Sequence, residues 1–304
     1  MLFILQTALE LGFLYSLVPL ALFISFRILN IADMTTDGCF VLGAAVSVTM
    51  AAAGHPFLGI VCAMLSGACA GIVTAFLQTR MGVPSILPGI ITNTGLYTVN
   101  LMVMGWSSNV SLLKTETLYT IFKKTGIGKS WNEAILSGLI VILVAALVFA
   151  FLGTRLGLMI RASGDNIDMV RASSINPAFT ITVGLAVANS LTALSGALVG
   201  QYQSTTDINS GTGIVVVALA CLIIGETCLG KKTILKGVIA AILGSLIYRT
   251  IYAIILYTKV IPVQGLKLMT AVVVALAIFA PTFKDWLTFQ KQKKNAGKRG
   301  QKNA

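Results

Sequence analysis

Residues 32–38 read ADMTTDG and lead directly into the apolar run CFVLGAAVSVTMAA of residues 39–52. A polar, glycine-containing segment ahead of a short apolar run is typical of a broken membrane helix, whose unwound backbone lies beside a cavity. Residues 204–213, STTDINSGTG, precede a second short apolar run in the same way. The pattern therefore predicts two short or broken helices, one in each half of the chain.

The composition places the chain in a membrane. Of its 304 residues, 56% are hydrophobic and 11% are charged, and the mean hydropathy is +0.90. A soluble domain of this composition has too few polar groups to cover its surface. Apolar runs that suit a bilayer-spanning helix occur at nine places: residues 2–26, 33–53, 57–78, 84–104, 134–153, 178–200, 212–225, 235–257 and 265–281. We predict an all-α membrane protein of eight or nine transmembrane helices, with a transmembrane domain over residues 1–290 and a basic tail over residues 291–304.

The net charge of +12 is a topology signal and not a nucleic-acid surface. If the carboxyl end is cytoplasmic, fifteen basic residues lie on the cytoplasmic side and six on the other side. Cytoplasmic loops carry the excess of Lys and Arg in membrane proteins. We therefore expect the amino terminus outside, the carboxyl terminus in the cytoplasm, and a tail that contacts lipid headgroups. In this orientation the two broken segments face opposite sides, as in an inverted pair of repeats.

Polar residues inside or beside the apolar runs mark a candidate translocation pathway, because lipid does not solvate them. In the fourth run Asn93, Tyr97 and Asn100 share one helical face. Hydrogen bonding between helices is the alternative reason for that face. The other candidates flank the two broken segments: Thr35, Thr36, Asp37, Gln201, Tyr202, Gln203 and Asp207.

Four charged residues within these segments have open roles. Asp37 and Asp207 are suited to cap a helix amino terminus, and a short helix could instead turn its positive amino end toward a solute carboxylate. Glu10 and Arg249 lie inside apolar runs, where an ionisable group indicates a function unless it reaches the interface. Both stay unassigned.

The sequence lacks the patterns of an enzyme. No nucleophile, base and orienting group recur as a triad, and no Gly-rich loop precedes a Lys-Ser or Lys-Thr pair. The five cysteines lack the short paired spacing of a zinc site, and the single histidine, His55, lies in a loop. We expect this chain neither to catalyse a reaction nor to bind ATP or a metal.

Residues 161–177, RASGDNIDMVRASSINP, predict a short amphipathic helix on the cytoplasmic side. Asp165 is a candidate N-cap, and Asn176 with Pro177 ends the helix. Such a helix is either a surface connector or a docking element for a partner.

Four motifs identify a family: ADMTTDG at 32–38, LPGIIT at 87–92 followed by Tyr97 and Asn100, SGALVGQYQ at 195–203, and IIGE at 223–226. The chain resembles ATP-binding-cassette importer permeases of the branched-chain amino acid and ribose type. Within that type it is similar to a single-permease subgroup named for tryptophan and tyrosine transport. One departure is Ser174, where the subgroup usually has Gly, which permits a left-handed helix cap more readily. Asn176 is the candidate to take over that cap.

The resemblance implies a non-enzymatic transport subunit in the bacterial inner membrane. It implies a second permease copy, two cytoplasmic ATPase subunits that hold ATP and Mg²⁺, and an extracytoplasmic solute-binding protein. It also implies a coupling helix that docks on the ATPase, formed by Gly164, Asp165, Asn166, Ile167, Asp168, Met169, Val170 and Arg171. The solute would be small and amino-acid-like, with aromatic amino acids suggested by the subgroup. Alternatives are a sugar, nucleoside or branched-chain amino acid in the same role, or an ion-coupled secondary transporter.

Overall fold

The computed structural model describes residues 2–112, 115–124, 131–230, 233–258, 268, 270–276 and 279. The predicted tail, residues 291–304, lies outside the described residues, as does part of the ninth predicted span, residues 265–281. The described chain is almost entirely helical, which confirms an all-α membrane protein. The α-helices are α1 (Leu2–Leu22), α2 (Thr36–Ala52), α3 (Pro56–Thr79), α4 (Ile86–Val103), α5 (Leu118–Lys124), α6 (Asn132–Gly153), α7 (Arg155–Asp165), α8 (Ile167–Ala172), α9 (Pro177–Gln203), α10 (Ile214–Leu229) and α11 (Ile234–Thr258).

Helix length separates the membrane helices into two groups. Six stretches of the described chain are long and apolar enough to cross a membrane: Ile4–Ile28, Pro56–Thr79, Ile86–Val103, Asn132–Gly153, Pro177–Gln203 and Ile234–Thr258. The first of these includes a π-helical turn, Phe23–Ile28, that continues α1. Helices α2 and α10 are apolar but shorter, with 17 and 16 residues. These two are the helices that the sequence predicts to be short.

Helices α1 and α9 each pack on helices of the other half of the chain. Helix α9 packs mainly on α2 and α3, whereas α1 packs on α11, α9 and α10. Helix α2 also contacts α3, as α10 contacts α11. Buried serines join these groups: Ser195 Oγ donates to the Leu14 carbonyl at 2.8 Å, and Ser245 Oγ donates to the Gly12 carbonyl at 2.9 Å. Each half of the chain therefore contributes one long helix to the other half.

Small residues allow close backbone approach at these contacts. A Cβ atom at Gly43 would collide with the backbone of Ala193 across the α2–α9 contact. A Cβ atom at Gly244 would collide with the Cys221 carbonyl across the α10–α11 contact. Close helix packing is therefore a sufficient reason for glycine at both positions.

Two connections outside the helix bundle fix its ends. Strands β1 (Asn109–Ser111) and β2 (Thr205–Asp207) pair antiparallel, and they join the segment after α4 to the segment after α9. At the other end, helices α7 and α8 form a bent unit between α6 and α9. The sequence predicts one helix over residues 164–171, and this prediction is wrong in one respect. The helices break at Asn166, so Gly164 and Asp165 belong to α7.

Candidate functional site

A cavity of about 320 Å³ lies where the amino ends of α2 and α10 meet. It brings together four residues that the sequence places on a pathway: Asp37 of α2 and Asn93, Tyr97 and Asn100 of α4. The segment before α10 closes the cavity. Its further lining residues are Gly38, Val41, Thr94, Ile208, Asn209, Gly211 and Thr212. Asp37 and the polar face of α4, which are far apart in the sequence, therefore line the same cavity.

Asp37 caps a helix, but not its own. Its Oδ2 accepts a hydrogen bond from the Gly213 backbone N–H, and its Oδ1 accepts one from Val215, both at 2.9 Å. The carboxylate thus occupies the positive amino end of α10. The predicted cap therefore acts in a different helix from the expected one. The same contact means that these two amides of α10 are not available for a solute carboxylate.

Helix α4 presents its polar face to the cavity. Asn100 is 1% exposed, and its Nδ2 donates to the Gly38 carbonyl at 3.2 Å. Its Oδ1 has no hydrogen-bond partner in the part of the chain that the structure describes. Tyr97 is half exposed, and Asn93 lies close to Gly38, where a Cβ atom would stand 2.5 Å from Asn93 Oδ1. An unpaired buried acceptor beside two polar side chains is suited to bind a donor group of a small polar solute.

Thr35 and Thr36 do not line this cavity. Both are buried. Thr35 Oγ1 lies 2.8 Å from Thr74 Oγ1, and the Thr35 backbone N–H donates to Asp33 Oδ1 at 2.9 Å. The second oxygen of Asp33 accepts from Asn189 Nδ2 at 2.6 Å. These bonds tie the start of α2 to α3 and α9, which is a structural role.

Gln201, Tyr202 and Gln203, at the end of α9, also lie apart from the cavity. Gln201 is fully buried, where its amide bonds the Leu118 N–H, the Ser47 hydroxyl and the Pro56 carbonyl. Gln203 is exposed. Gln201 therefore locks α9 to α2, α3 and α5.

Glu10 and Asp207 also have hydrogen-bond partners within the protein. Tyr202 donates its hydroxyl to Glu10 Oε2 at 2.7 Å, and Gln6 Nε2 donates to Glu10 Oε1 at 2.9 Å. Asp207 accepts from the Asn209 N–H at 2.7 Å, so it forms a turn and does not cap α10. Glu10, which the sequence leaves unassigned, joins α1 to α9.

Arg249 lines a second cavity, of about 450 Å³, on the other side of the segment before α10. Its guanidinium lies 3.6 Å from the centre of the Tyr15 ring and 5.8 Å from that of Tyr252. The Tyr15 ring also stacks on the Phe40 ring, with ring centres 5.6 Å apart. Sequence reasoning missed this arrangement. The available signal was a single Arg within an apolar run, which does not reveal its partners.

Asparagines cap the amino ends of α8 and α9. Asn166 Oδ1 accepts from the Asp168 and Met169 N–H groups at 3.0 Å, so Asn166 and not Asp165 is the N-cap of α8. Asn176 caps α9 through the Ala178 N–H at 3.0 Å. The left-handed position is Ser174 itself, with φ 59°. The role expected for Asn176 therefore belongs to the residue that replaces the usual Gly.

Helix α8 exposes an apolar surface while its unit is anchored to the bundle. Ile167 is 42% and Met169 51% exposed, whereas Val170 is buried. Arg171 and Asp168 are both exposed and form an ion pair at 3.7 Å. Gly164 lies against the Ile28 carbonyl so closely that a Cβ atom would collide with it. Movement of this unit therefore acts directly on the end of α1.

Comparison with known proteins gives one family and several relatives. Residues 4–281 match the family model described as the permease component of branched-chain amino acid transport systems. The tyrosine transport system permease protein of Clostridioides difficile (strain R20291) is 33% identical over 261 residues, 85% of this chain and 85% of that protein. An uncharacterised protein of Rickettsia prowazekii (strain Madrid E), RP368, is 32% identical over 279 residues, 90% of this chain and 96% of that protein.

A more distant relative is the autoinducer 2 import system permease protein LsrC of Photorhabdus luminescens. It is 25% identical over 182 residues, 60% of this chain and 53% of that protein. No solved structure matches the chain.

Proposed function

We propose that this chain, which belongs to the family of branched-chain amino acid transport system permease components, is the membrane subunit of an ATP-driven importer for an amino acid, with tyrosine or a similar aromatic amino acid as its solute. The observation that carries the proposal is the likeness to a tyrosine transport permease along 85% of both chains. The match to the family model, over residues 4–281, includes both short helices, α4, α7 and α8. The protein is a multi-pass membrane protein, in keeping with the bacterial inner membrane.

The proposed topology has eight or nine transmembrane helices, the amino terminus outside and the carboxyl terminus in the cytoplasm. Strands β1 and β2 pair the segments after α4 and α9, so these segments lie at the same end of the bundle, and the proposed topology puts that end outside. Arg27 and Glu226 form an ion pair at 3.1 Å, so the ends of α1 and α10 lie together, and the proposed topology puts them in the cytoplasm. The reciprocal packing of α1 and α9 supports an inverted repeat that relates α1–α3 to α9–α11.

The 320 Å³ cavity is the proposed solute pathway. It lies at the amino ends of two short helices, where discontinuous helices of transporters commonly build their binding sites. The side-chain oxygen Oδ1 of Asn100 would accept a hydrogen bond from the solute, with Asn93 and Tyr97 beside it. A second permease copy would cover the exposed apolar side of α4, which includes Ile90, Ile91 and Met102.

Helices α7 and α8 form the proposed coupling surface. Ile167 and Met169 would enter a groove of the ATPase, and two such ATPase subunits would bind ATP and Mg²⁺ outside this chain. ATP-driven closure would move α7 and α8 as one body against Ile28, and Ser163, which is hydrogen-bonded to Thr180 at 2.7 Å, would move the start of α9. An extracytoplasmic binding protein would deliver the solute.

The same importer role for another solute is the second candidate. The family name favours a branched-chain amino acid, and the autoinducer 2 permease shows that a relative serves a different solute. A sugar or nucleoside belongs to the same alternative. Ion coupling has less support, because the buried carboxylates Glu10 and Asp33 are hydrogen-bonded to protein side chains.

The test is uptake by the complete transporter in proteoliposomes. We expect uptake of L-tyrosine that requires ATP and the binding protein, and that leucine and ribose do not compete for. Uptake driven by an ion gradient without ATP would exclude the importer, whereas ATP-driven uptake of ribose or leucine in place of tyrosine would exclude only the aromatic solute.

The coupling surface has its own test. Replacing Ile167 and Met169 together by Ser should abolish co-purification with the ATPase, because these exposed side chains supply the apolar contact. Arg80→Gln, at an exposed position after α3 and outside α7 and α8, is the control and should leave co-purification unchanged. An ATPase that stays bound to the Ile167/Met169 double variant would exclude this surface.

A further inference from the structure

Arg249 is a cation inside the apolar helix α11. It is the sixteenth residue of α11 (Ile234–Thr258), which puts it about 14 Å from the outer end of that helix at ~1.5 Å per residue. In the part of the chain that the structure describes, its guanidinium has neither a carboxylate nor a hydrogen-bond acceptor. An unpaired charge at that depth is costly, so such residues commonly belong to a site that binds a charged ligand.

The aromatic rings beside it fix the guanidinium in place. The Tyr15 ring stacks on the Phe40 ring, and the Arg249 guanidinium lies over the Tyr15 ring, so the three side chains form one stack. Phe40 is fully buried on α2, so the stack is anchored in the core. Cation–π contact holds the charge without neutralising it. The five N–H donors of the guanidinium therefore remain available to bind a carboxylate.

The cavity that Arg249 lines has the size of a small-molecule site. Its volume is about 450 Å³, within the range of pockets that enclose small ligands. Tyr248 and Tyr252 supply aromatic surface, Ala218 and Cys221 supply apolar surface, and Thr212 supplies a hydroxyl. A cation together with aromatic and apolar walls suits a ligand with one carboxylate and one planar apolar group.

Two other anion sites in this region are already filled by the protein. Asp37 occupies the amino end of α10, and Asp33 bonds the Thr35 N–H at the start of α2. A solute carboxylate thus finds its free partner at Arg249 and not at either of these helix ends.

We propose that Arg249 binds the carboxylate of the transported solute in this cavity, with the solute's aromatic ring against Tyr248 and Tyr252. This is a second position for the solute, separate from the 320 Å³ cavity beside Asn100, and Thr212 of the segment before α10 lines both cavities. This inference rests on the proposed function, because it takes the solute to be an aromatic amino acid. A lipid phosphate offers the same anionic chemistry. However, the hydrocarbon core is about 15 Å deep from each surface, so a headgroup does not reach Arg249 from the outer surface without distortion of the bilayer.

The test measures binding of L-tyrosine and of tyramine, which lacks the carboxylate, to the full-length permease in phosphatidylcholine nanodiscs. Arg249→Gln should raise the Kd for L-tyrosine about 10- to 100-fold, as expected when a charge-assisted contact is lost. Arg249→Lys keeps the charge, and its Kd for L-tyrosine should lie between those of the unmodified protein and Arg249→Gln. The Kd for tyramine should be equal in all variants. The control Arg80→Gln, an exposed residue after α3, should bind both ligands as the unmodified protein does.

The outcomes separate this inference from the proposed function. An unchanged Kd for L-tyrosine in Arg249→Gln, or an equal loss of tyramine binding, overturns the inference alone. If phosphatidylglycerol stabilises the unmodified protein but not Arg249→Gln, and the Kd for L-tyrosine stays the same in both, the cavity is a lipid site and the inference is overturned. Failure of the unmodified protein to bind any amino acid contradicts the proposed solute and the inference together.

Discussion

Helix α1 makes two contacts with the second half of the chain, and one of them borders a cavity. Toward α9, Ser195 bonds the Leu14 carbonyl, and both residues are fully buried. Toward α11, Ser245 makes the matching bond to Gly12, and this contact borders the cavity that Arg249 lines. The difference shows on which side of α1 the bundle has room for a ligand.

The largest effect is expected from overfilling the face of α9 that packs on α2 and α3. Ala193 is fully buried there, and a Cβ atom at Gly67 would stand 2.5 Å from the Ala193 Cβ. Ala193→Leu should lower the free energy of unfolding by about 3 kcal/mol or prevent folding, because no space exists for the added carbons. Val217→Leu, which adds volume beside the 450 Å³ cavity, should cost less than about 1 kcal/mol. Thermal unfolding in detergent measures both, and equal losses would mean that the α9 face and the surroundings of the cavity are packed alike.

A smaller loss is expected at the wall that the two cavities share. Asp37→Ala removes two hydrogen bonds to the amino end of α10, and should cost about 2–3 kcal/mol because the Gly213 and Val215 amides lose their acceptor. Asp207→Ala, which loses one bond in a turn, should cost about 1 kcal/mol. Thermal unfolding of the two purified variants gives the comparison. A larger loss in Asp207→Ala would show that the hydrogen bonds of Asp37 contribute little to fixing the start of α10.

The smallest effect compares the two serines that bond α1. Ser195→Ala should cost about 1–1.5 kcal/mol, since the buried Leu14 carbonyl keeps no partner beyond its own helix. Ser245 lines the cavity, so water can replace its hydroxyl, and Ser245→Ala should cost about 0.5 kcal/mol. Their unfolding temperatures, measured side by side, rank the two. An equal or reversed order would indicate that the cavity is dry at Ser245.

Local patterns were sufficient to predict much of the fold. Hydrophobic run length predicts the helices, and polar segments at residues 32–38 and 204–213 predict that α2 and α10 are short. The face of Asn93, Tyr97 and Asn100 follows from helical spacing and does line a cavity. These features depend on neighbours within two or three turns, which a single sequence reveals. The extent of the transmembrane domain, residues 1–290, stays a prediction.

Contacts between distant segments were not predictable in this way. The Asp37 side chain suits a cap, but the Gly213 amide that it caps lies 176 residues further along the chain. Gln201 is polar, and the sequence therefore predicts that it lines the pathway. Its side-chain amide instead forms hydrogen bonds with residues of three other segments. The Arg249 stack joins α1, α2 and α11. A composition pattern carries no information on which of these segments meet.

The exchange of α1 and α9 between the halves has a consequence for biosynthesis. Helix α1 leaves the ribosome long before its partners α10 and α11, which lie much later in the chain. Until they are inserted, Gly12 and Tyr15 lack the helix that covers them, and Asp37 lacks the amides that it caps. The earlier helices therefore wait in the bilayer with an unpaired carboxylate until α10 and α11 follow.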